Sequence, residues 1–262
     1  MSTIVSSSAV PGSAGATATD VGIEAIFGPD NRVQVTDTTR YPASAAVLLT
    51  FNGGRCTGFM ISERTVATAG HCVHTGGSNG TWRTGIVAYP GHNGTTAPFG
   101  SCAAVQLFVP QGWTGRANTP SGGDPAYDYG AVRLNCAVGN STGWYDIAYT
   151  TQPLTGTCTI SHGYPLDRPG QWVSEDPIRA ENNTYLYVRH AFVNGQDGSV
   201  VSYRPDPDDP CPTYPPRWPF PSPRLTALGI LTFGPDGIGP GASHNIAIRI
   251  TQPVFNNLMQ WR

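Results

Sequence analysis

The chain has 262 residues, of which only 12% are charged, and its formal net charge is −2. All 15 basic residues are arginines scattered along the sequence, which excludes a basic face for nucleic acid. No apolar stretch reaches the roughly 18 residues of a membrane-spanning helix, and the 32 glycines and 24 prolines indicate many turns and few long helices.

The N-terminal segment, residues 1–25, is rich in Ser, Ala, Gly and Thr, which predicts a flexible arm or the remnant of a pro-segment. Its first residues have neither the charged region nor the apolar core of a signal peptide. Six cysteines and the sequons at Asn79, Asn93, Asn140 and Asn182 nevertheless suit an oxidising compartment. We therefore expect a secreted, extracellular protein whose secretion signal has been removed.

A first series of short apolar segments lies between about residues 40 and 136. Each segment is rich in strand-forming residues and is bounded by turn residues, as at Asn52-Gly53-Gly54. A set of this size can close into a small β-barrel. Strands are predicted at 45–51, 59–61, 65–69, 85–89, 104–109 and 129–134.

A second series lies between about residues 150 and 250 and has the same character. It is interrupted by the proline-rich stretch 204–224, which is predicted to be a surface loop because proline cannot donate to a central sheet. Strands are predicted at 157–160, 171–173, 184–188, 199–202, 228–233 and 246–250.

The last segment predicts a helix over residues 252–262. Thr251 can cap it, and apolar residues recur at helical spacing from Val254 to Trp261. Two six-stranded halves followed by one helix predict an all-β fold of two antiparallel β-barrels with a C-terminal helix. We expect these elements to form one domain over residues 26–262.

The first chemical motif is Thr68-Ala69-Gly70-His71-Cys72, at the end of a predicted buried strand. A general base needs an imidazole that is held in one orientation and one tautomer. A strand end flanked by a cysteine that can form a disulfide supplies this fixation, so His71 is a candidate base. The remaining histidines lack such a context and are interpreted as structural: His74, His92, His162, His190 and His244.

The second motif places Asp128 between two tyrosines and ahead of a predicted strand. A carboxylate in this position is expected to be buried, and a buried carboxylate must be paired. Orienting a histidine is one such pairing. A turn or cap is the alternative, and it suits Asp124 better.

The third motif is the run Asn194-Gly195-Gln196-Asp197-Gly198-Ser199. Two glycines bracket a tight turn that leads into a strand. Successive backbone N–H groups in such a turn can converge on one anion, which is how an oxyanion hole is built.

In this order and at these separations, the three motifs resemble the chymotrypsin-like or trypsin-like serine endopeptidases, and among them the glutamyl endopeptidases, over about residues 26–262. The resemblance implies that His71 is the general base and Asp128 its orienting carboxylate. It also implies an oxyanion hole made by the N–H groups of Gly195 and Asp197. The nucleophilic serine is expected at position 197, where this chain has Asp197.

The same resemblance assigns the substrate pocket. Leu231 stands where glutamyl endopeptidases have a histidine that binds the substrate carboxylate, and Phe192 stands at a position that is usually small and polar. The pocket is therefore expected to be apolar or filled. Its residues are Phe192, Leu231, Thr232 and Phe233.

Aspartate at position 197 changes the expected chemistry. A carboxylate is a weak nucleophile toward amides, and it can either fold into the oxyanion hole or pair with His71 and raise the pKa of that histidine. Ser199 lies roughly 6.5 to 7 Å further along the strand, so it is not expected to substitute. We therefore predict a catalytically silent scaffold that keeps the peptide-binding fold.

Two alternatives stay open at this point. One is an active secreted endopeptidase with altered specificity. The other is a metal-binding module in which His71, Asp128 and Asp197 ligate a divalent ion. The leading hypothesis needs no cofactor and no metal. It predicts a monomer whose partners are peptides or proteins, with no nucleic acid and no membrane.

The cysteines are expected to pair, although their pairing cannot be read from the sequence alone. The resemblance implies a disulfide between Cys56 and Cys72. Cys102 and Cys136 flank two strands that could run antiparallel, which predicts a second pair. Cys158 and Cys211 remain as a third pair, and free buried thiols stay an alternative for the last two pairs.

Overall fold

A computed structural model describes residues 4–8, 25–115, 123–203, 224–236 and 239–262. The described chain is predominantly β-sheet, with three helices. Its strands are β1 Ile4–Ser8, β2 Val33–Gln34, β3 Ala46–Phe51, β4 Gly54–Met60, β5 Thr65–Thr68, β6 Val87–Pro90, β7 Cys102–Pro110, β8 Gly130–Leu134, β9 Asp146–Ile147, β10 Cys158–Gly163, β11 Trp172–Pro177, β12 Ala180–Glu181, β13 Tyr185–Val188, β14 Val200–Tyr203, β15 Thr226–Phe233 and β16 Asn245–Arg249. The helices are α1 Gln111–Thr114, α2 Gly139–Thr142 and α3 Gln252–Trp261.

The first half of the chain forms a closed barrel of six antiparallel strands. The strand order is β7-β6-β3-β4-β5-β8, and the ring closes because β8 also pairs with β7. Alternate residues of these strands point inward, as expected from the period of two. Val47, Leu49, Val66 and Val132 are all fully buried inside this barrel.

The second half forms an open, curved sheet. The six strands predicted there occur in the order β13-β16-β15-β14-β10-β11, and in the described residues this sheet is a half-barrel. Short strands extend it at both edges, β12 beside β13 and β2 beside β11. The predicted all-β, two-barrel class is thus confirmed, with one barrel closed and the other half-open.

The N-terminal segment contributes a strand. Residues Ile4–Ser8 pair antiparallel with β7, from Gln106 to Pro110. The prediction of a flexible arm is therefore wrong for these five residues, because the exposed edge of β7 offers them backbone partners. The pro-segment alternative stays a prediction. Residues 9–24 and 204–223 lie outside the described part of the chain.

Helix α3 packs on the first barrel. The Trp261 ring stacks on Phe108 with centroids 5.8 Å apart, and Asn257 donates to the hydroxyl of Tyr129 at 2.7 Å. Thr251 stands at the N-cap position, but its side chain makes no capping bond there. Instead, its carbonyl accepts the N–H of Phe255 at 2.8 Å. Of the helices that the structure describes, none has the length and apolar character to cross a membrane.

Two of the predicted disulfides lie within the described residues. Cys56 pairs with Cys72, and Cys102 pairs with Cys136. The first cross-link ties β4 to the turn that carries His71, and the second excludes free thiols for that pair. Cys211, the predicted partner of Cys158, lies outside the described residues.

Two fully buried histidines in the second half are neutral. Nδ1 of His162 donates to the side-chain oxygen of Gln171 at 3.3 Å, and Nε2 of His190 donates to the hydroxyl of Thr159 at 2.9 Å. The Nε2 atom of His162 is buried and has no hydrogen-bond partner among the described residues. Burial is the main cause that lowers the pKa of both to about 4.

Because of these two histidines, we expect the free energy of unfolding to decrease in acid. Their pKa values are depressed in the folded state, so their contribution is complete above about pH 6.5 and is lost as the pH falls toward 4. Each can contribute on the order of 3 kcal/mol across this interval. The free energy of unfolding, measured with urea, should therefore fall more steeply between pH 6.5 and 4 in the native chain than in His162→Gln or His190→Gln. Equal pH slopes for the three proteins would contradict this interpretation.

Candidate active site

His71 and Asp128 are brought together by two neighbouring strands of the first barrel. His71 lies in a 3₁₀ turn directly after β5, and Asp128 lies directly before β8. Since β5 and β8 are antiparallel, with Thr68 opposite Gly130, the end of one meets the start of the other. Asp124 is used differently, as predicted, because its carboxylate caps the next short turn.

The Asp128 carboxylate accepts two hydrogen bonds from His71. One oxygen lies 2.8 Å from Nδ1 of the ring, and the other accepts the backbone N–H of His71 at 2.7 Å. The side chain of Asp128 is fully buried. This bond fixes the proton on Nδ1 and points Nε2 toward the second half of the molecule.

The turn at residues 194–199 comes from the second half and is held by Thr57 of β4. The N–H of Thr57 donates to the carbonyl of Asp197 at 2.8 Å, and its hydroxyl donates to the carbonyl of Gly195 at 2.7 Å. Gly198 has a φ of +87°, and a Cβ at this position would lie 2.2 Å from the Thr57 carbonyl. Only glycine permits this close approach.

Two backbone N–H groups of this turn are available to a ligand. The carbonyl of Asn194 accepts the N–H of Leu166 at 2.7 Å. Because C=O and N–H of a trans peptide point in opposite directions, the N–H of Gly195 points away from Leu166. Among the described residues, the N–H groups of Gly195 and Asp197 donate to no protein acceptor.

Asp197 faces the imidazole. Its Oδ1 lies 3.4 Å from Nε2 of His71, and each side chain is 14% exposed. Of the two arrangements open to this carboxylate, the chain adopts the pairing with His71. Burial alone would lower the pKa of His71, but the charges of Asp128 and Asp197 outweigh it and raise that pKa well above its ordinary value.

Removing the charge of Asp197 should therefore lower the pKa of His71. Asp197→Asn keeps the shape of the side chain and loses one of the two carboxylates that stabilise the imidazolium. NMR titration of the His71 ring proton should show a pKa that is lower in this variant than in the native chain. Asp37→Asn removes an exposed carboxylate and serves as the control. An unchanged pKa in Asp197→Asn would remove the case for this ion pair.

The ion pairs of His71 with Asp128 and Asp197 also determine how the stability of the native chain changes at high pH. Because the pKa of His71 is raised in the folded state, the stability contributed by its ion pairs is complete below the ordinary histidine pKa. It is lost as the pH rises through the raised value.

The geometry does not favour the metal hypothesis. Asp128 and Asp197 occupy opposite nitrogens of the His71 ring, so the three side chains do not converge on one point. Within the described part of the chain, one group of three residues has its potential ligand atoms close enough together. This group is Cys56, His71 and Cys72, and its two cysteines are joined in a disulfide.

Ser199 is not placed to act in the cleft. Its hydroxyl is fully buried and has no hydrogen-bond partner in the described part of the chain. It faces β10, since a Cβ at Gly163 would lie 2.6 Å from its oxygen.

The predicted pocket residues belong largely to the core of the second half. Phe192 and Leu231 are almost completely buried, in one apolar cluster with Leu228. The hydroxyl of Thr232 is buried and donates to a backbone carbonyl of β16, and Phe233 is half-buried. That these residues line or fill a substrate pocket stays a prediction.

Sequence reasoning missed Thr57 and Leu166, which hold the turn in place. Thr57 bonds to Gly195 across the boundary between the two halves, 138 positions away in sequence. Leu166 bonds to Asn194 from another loop of the second half. The available signal was the position of Thr57 directly after Cys56, because the disulfide keeps this strand beside His71.

Comparison with known sequences gives consistent matches. The family model "Trypsin" matches residues 32–187, which include His71 and Asp128 and end before the turn that contains Asp197. The chain is 36% identical over 246 residues to the "Glutamyl endopeptidase" of Bacillus licheniformis, covering 92% of this chain and 70% of that protein. It is 33% identical over 245 residues to the "Extracellular metalloprotease" of Bacillus subtilis, covering 90% of this chain and 69% of that protein.

Solved structures agree with the fold. The structure described as "Structure of Glu endopeptidase in complex with MPD" matches with a TM-score of 0.75 and 24% identity, covering 90% of this chain and 99% of that one. The protease Anisep of Arthrobacter nicotinovorans matches with a TM-score of 0.60 and 16% identity, covering 81% of this chain and 91% of that one. From the family match and the identity to its relatives, this chain belongs to the trypsin family of serine proteases, on a scaffold related to glutamyl endopeptidase.

Proposed function

We propose that this chain is a catalytically silent member of its family, which binds peptide or protein segments without cleaving them. The observation that carries the proposal is the carboxylate of Asp197, 3.4 Å from Nε2 of His71. In this position an active enzyme needs a hydroxyl whose proton the histidine can accept.

Two chemical arguments support the absence of catalytic activity. The Asp197 carboxylate is a weak nucleophile toward an amide, and its attack would have to expel an amine and convert a stable amide into a higher-energy anhydride. In addition, the charges of Asp128 and Asp197 raise the pKa of His71 well above its ordinary value, which favours the protonated ring and disfavours its action as a general base.

Binding is supported by the parts of the site that remain intact. The N–H groups of Gly195 and Asp197 are available to a peptide carbonyl, and the turn that carries them is fixed by hydrogen bonds to β4. The apolar, buried side chains of Phe192 and Leu231 support our proposal that the specificity is not for glutamate. We further propose a secreted monomer; secretion is consistent with the disulfides and with the printed name of the extracellular relative.

The proposal is tested by incubating the native chain with a mixed peptide library and an unfolded protein. Mass spectrometry should find no new peptide termini, while binding of library members to the immobilised chain persists. Cleavage that disappears in His71→Ala would support the alternative of an active endopeptidase with altered specificity. Absence of binding to every library member would contradict the proposed function.

A further inference from the structure

Arg55 lies beside the turn that carries the available N–H groups. It stands two residues before Thr57 on β4, so both side chains project from the same face of the strand. The Arg55 guanidinium donates to the carbonyl of Pro165. The residues flanking Pro165 touch the turn, because a Cβ at Gly195 would lie 2.6 Å from the carbonyl oxygen of Tyr164 and 3.2 Å from Cγ of Leu166.

The hydrogen-bonding capacity of Arg55 is incompletely used. Burial lowers the pKa of this guanidinium, and its Nε–H is buried without an acceptor. The ion pairs found in the described residues involve other arginines, and none joins Arg55 to a carboxylate. A partly desolvated cation that holds one neutral carbonyl is stabilised further when a carboxylate accepts its N–H groups in pairs.

We propose that Arg55 is a specificity-determining residue that binds an acidic side chain of the peptide held at the turn. This inference rests on the proposed function, since it requires a peptide whose carbonyl lies at Gly195. Arg55 lies two strand residues, roughly 7 Å, from Thr57, whose hydroxyl bonds to Gly195. An extended peptide advances about 3.3 Å per residue, so two of its residues span a distance of this size.

The surroundings of Arg55 define the ligand further. Leu166, whose Cγ lies beside Gly195, is 56% exposed and offers apolar surface next to the turn. The ligand class is therefore a peptide with Asp or Glu one or two residues from the held carbonyl and an apolar neighbour. Acidic recognition would then lie beside Arg55 on β4 rather than at Leu231, the position predicted for the pocket.

The test uses capped eight-residue peptides of alanine and leucine, in which a single aspartate is moved along the chain. Each peptide has a matched asparagine version. Binding to the native chain is followed by NMR at two reporters, the N–H of Gly195 for the site and the Nε–H of Arg55 for the inference. The Arg55 signal is assigned by its loss in Arg55→Met.

We expect both aspartate and asparagine peptides to shift the Gly195 signal. The Arg55 signal should move only with aspartate at one or two adjacent positions, where aspartate should bind about tenfold more tightly than asparagine. Arg55→Met should abolish this preference, whereas Arg64→Met, a control that removes an arginine paired with Glu63, should keep it.

Each other result is informative. Gly195 shifts without an aspartate preference, or a preference that survives in Arg55→Met, would overturn the role of Arg55 and leave peptide binding standing. No Gly195 shift with any peptide would overturn peptide binding and the role of Arg55 together. If Arg55→Met does not fold, Arg55→Gln replaces it, and the Arg55 signal in the native chain remains a direct readout.

Discussion

Replacing Asp197 with serine is expected to turn this chain, which we propose is catalytically silent, into a peptidase. The new hydroxyl would lie beside Nε2 of His71, and removal of the carboxylate would lower the pKa of the ring so that it can accept the serine proton. The N–H groups of Gly195 and Asp197 are already in place for the oxyanion. Loss of a catalytic serine costs roughly 10⁴- to 10⁶-fold in related systems, and we expect a gain of that order.

The gain is measured as peptide cleavage, by mass spectrometry of a mixed library. Asp197→Asn should stay silent, because it removes the charge without supplying a nucleophile. The double variant Asp197→Ser/His71→Ala should lose the recovered activity. A folded Asp197→Ser protein without any cleavage would show that position 197 is not what silences the site.

The second large effect concerns the buried ion network of Arg32, Asp30 and Asp167, which lies next to the loop that contains Leu166. The side chain of Arg32 is completely buried and contacts Asp30 at 2.9 Å and Asp167 at 2.6 Å. Burial would lower the pKa of Arg32, but the two carboxylates outweigh it and raise that pKa. Asp167 follows Leu166, so this network also anchors the loop that orients the Gly195 N–H.

Removing both carboxylates should be far more harmful than removing the cation. The double variant Asp30→Asn/Asp167→Asn leaves a buried guanidinium without counter-charge, which costs roughly 3 to 5 kcal/mol in unfolding free energy. Arg32→Met should cost less, because the carboxylates of Asp30 and Asp167 are 22% and 43% exposed and can be hydrated.

The measurement is urea unfolding at neutral pH. Arg40→Met is the control: it breaks a pair whose side chains are 87% and 54% exposed, and it should change stability by less than about 0.5 kcal/mol. A loss in the double variant no larger than that in Arg40→Met would mean that the network does not stabilise the fold.

The sequence predicted the regular part of the fold because its strands repeat with a clear period. Segments such as 45–51 and 228–233 correspond to β3 and β15 within two residues. The strands that were missed are short: β2, β9 and β12 have two residues each, too few for any pattern. Strand β1 was missed because its serines resemble a linker, and only the free edge of β7 reveals its pairing.

The chemistry of the site was predictable where it lies in local motifs. The runs around His71, Asp128 and Asp197 each carry their turn glycine or flanking aromatic in the sequence. Contacts made across the fold were not predictable, since Thr57 meets Gly195 and Arg55 meets Pro165 only after the two halves pack together. The direction of the Asp197 carboxylate could not be predicted either, because the sequence is compatible both with a carboxylate in the oxyanion hole and with one paired to His71.

One measurement tests the central claim most directly: intact-mass analysis of the purified native chain after exposure to a fluorophosphonate, which adds covalently to an activated serine hydroxyl. We predict no adduct on the native chain and a single adduct at position 197 in Asp197→Ser. An adduct on any serine of the native chain would contradict the account.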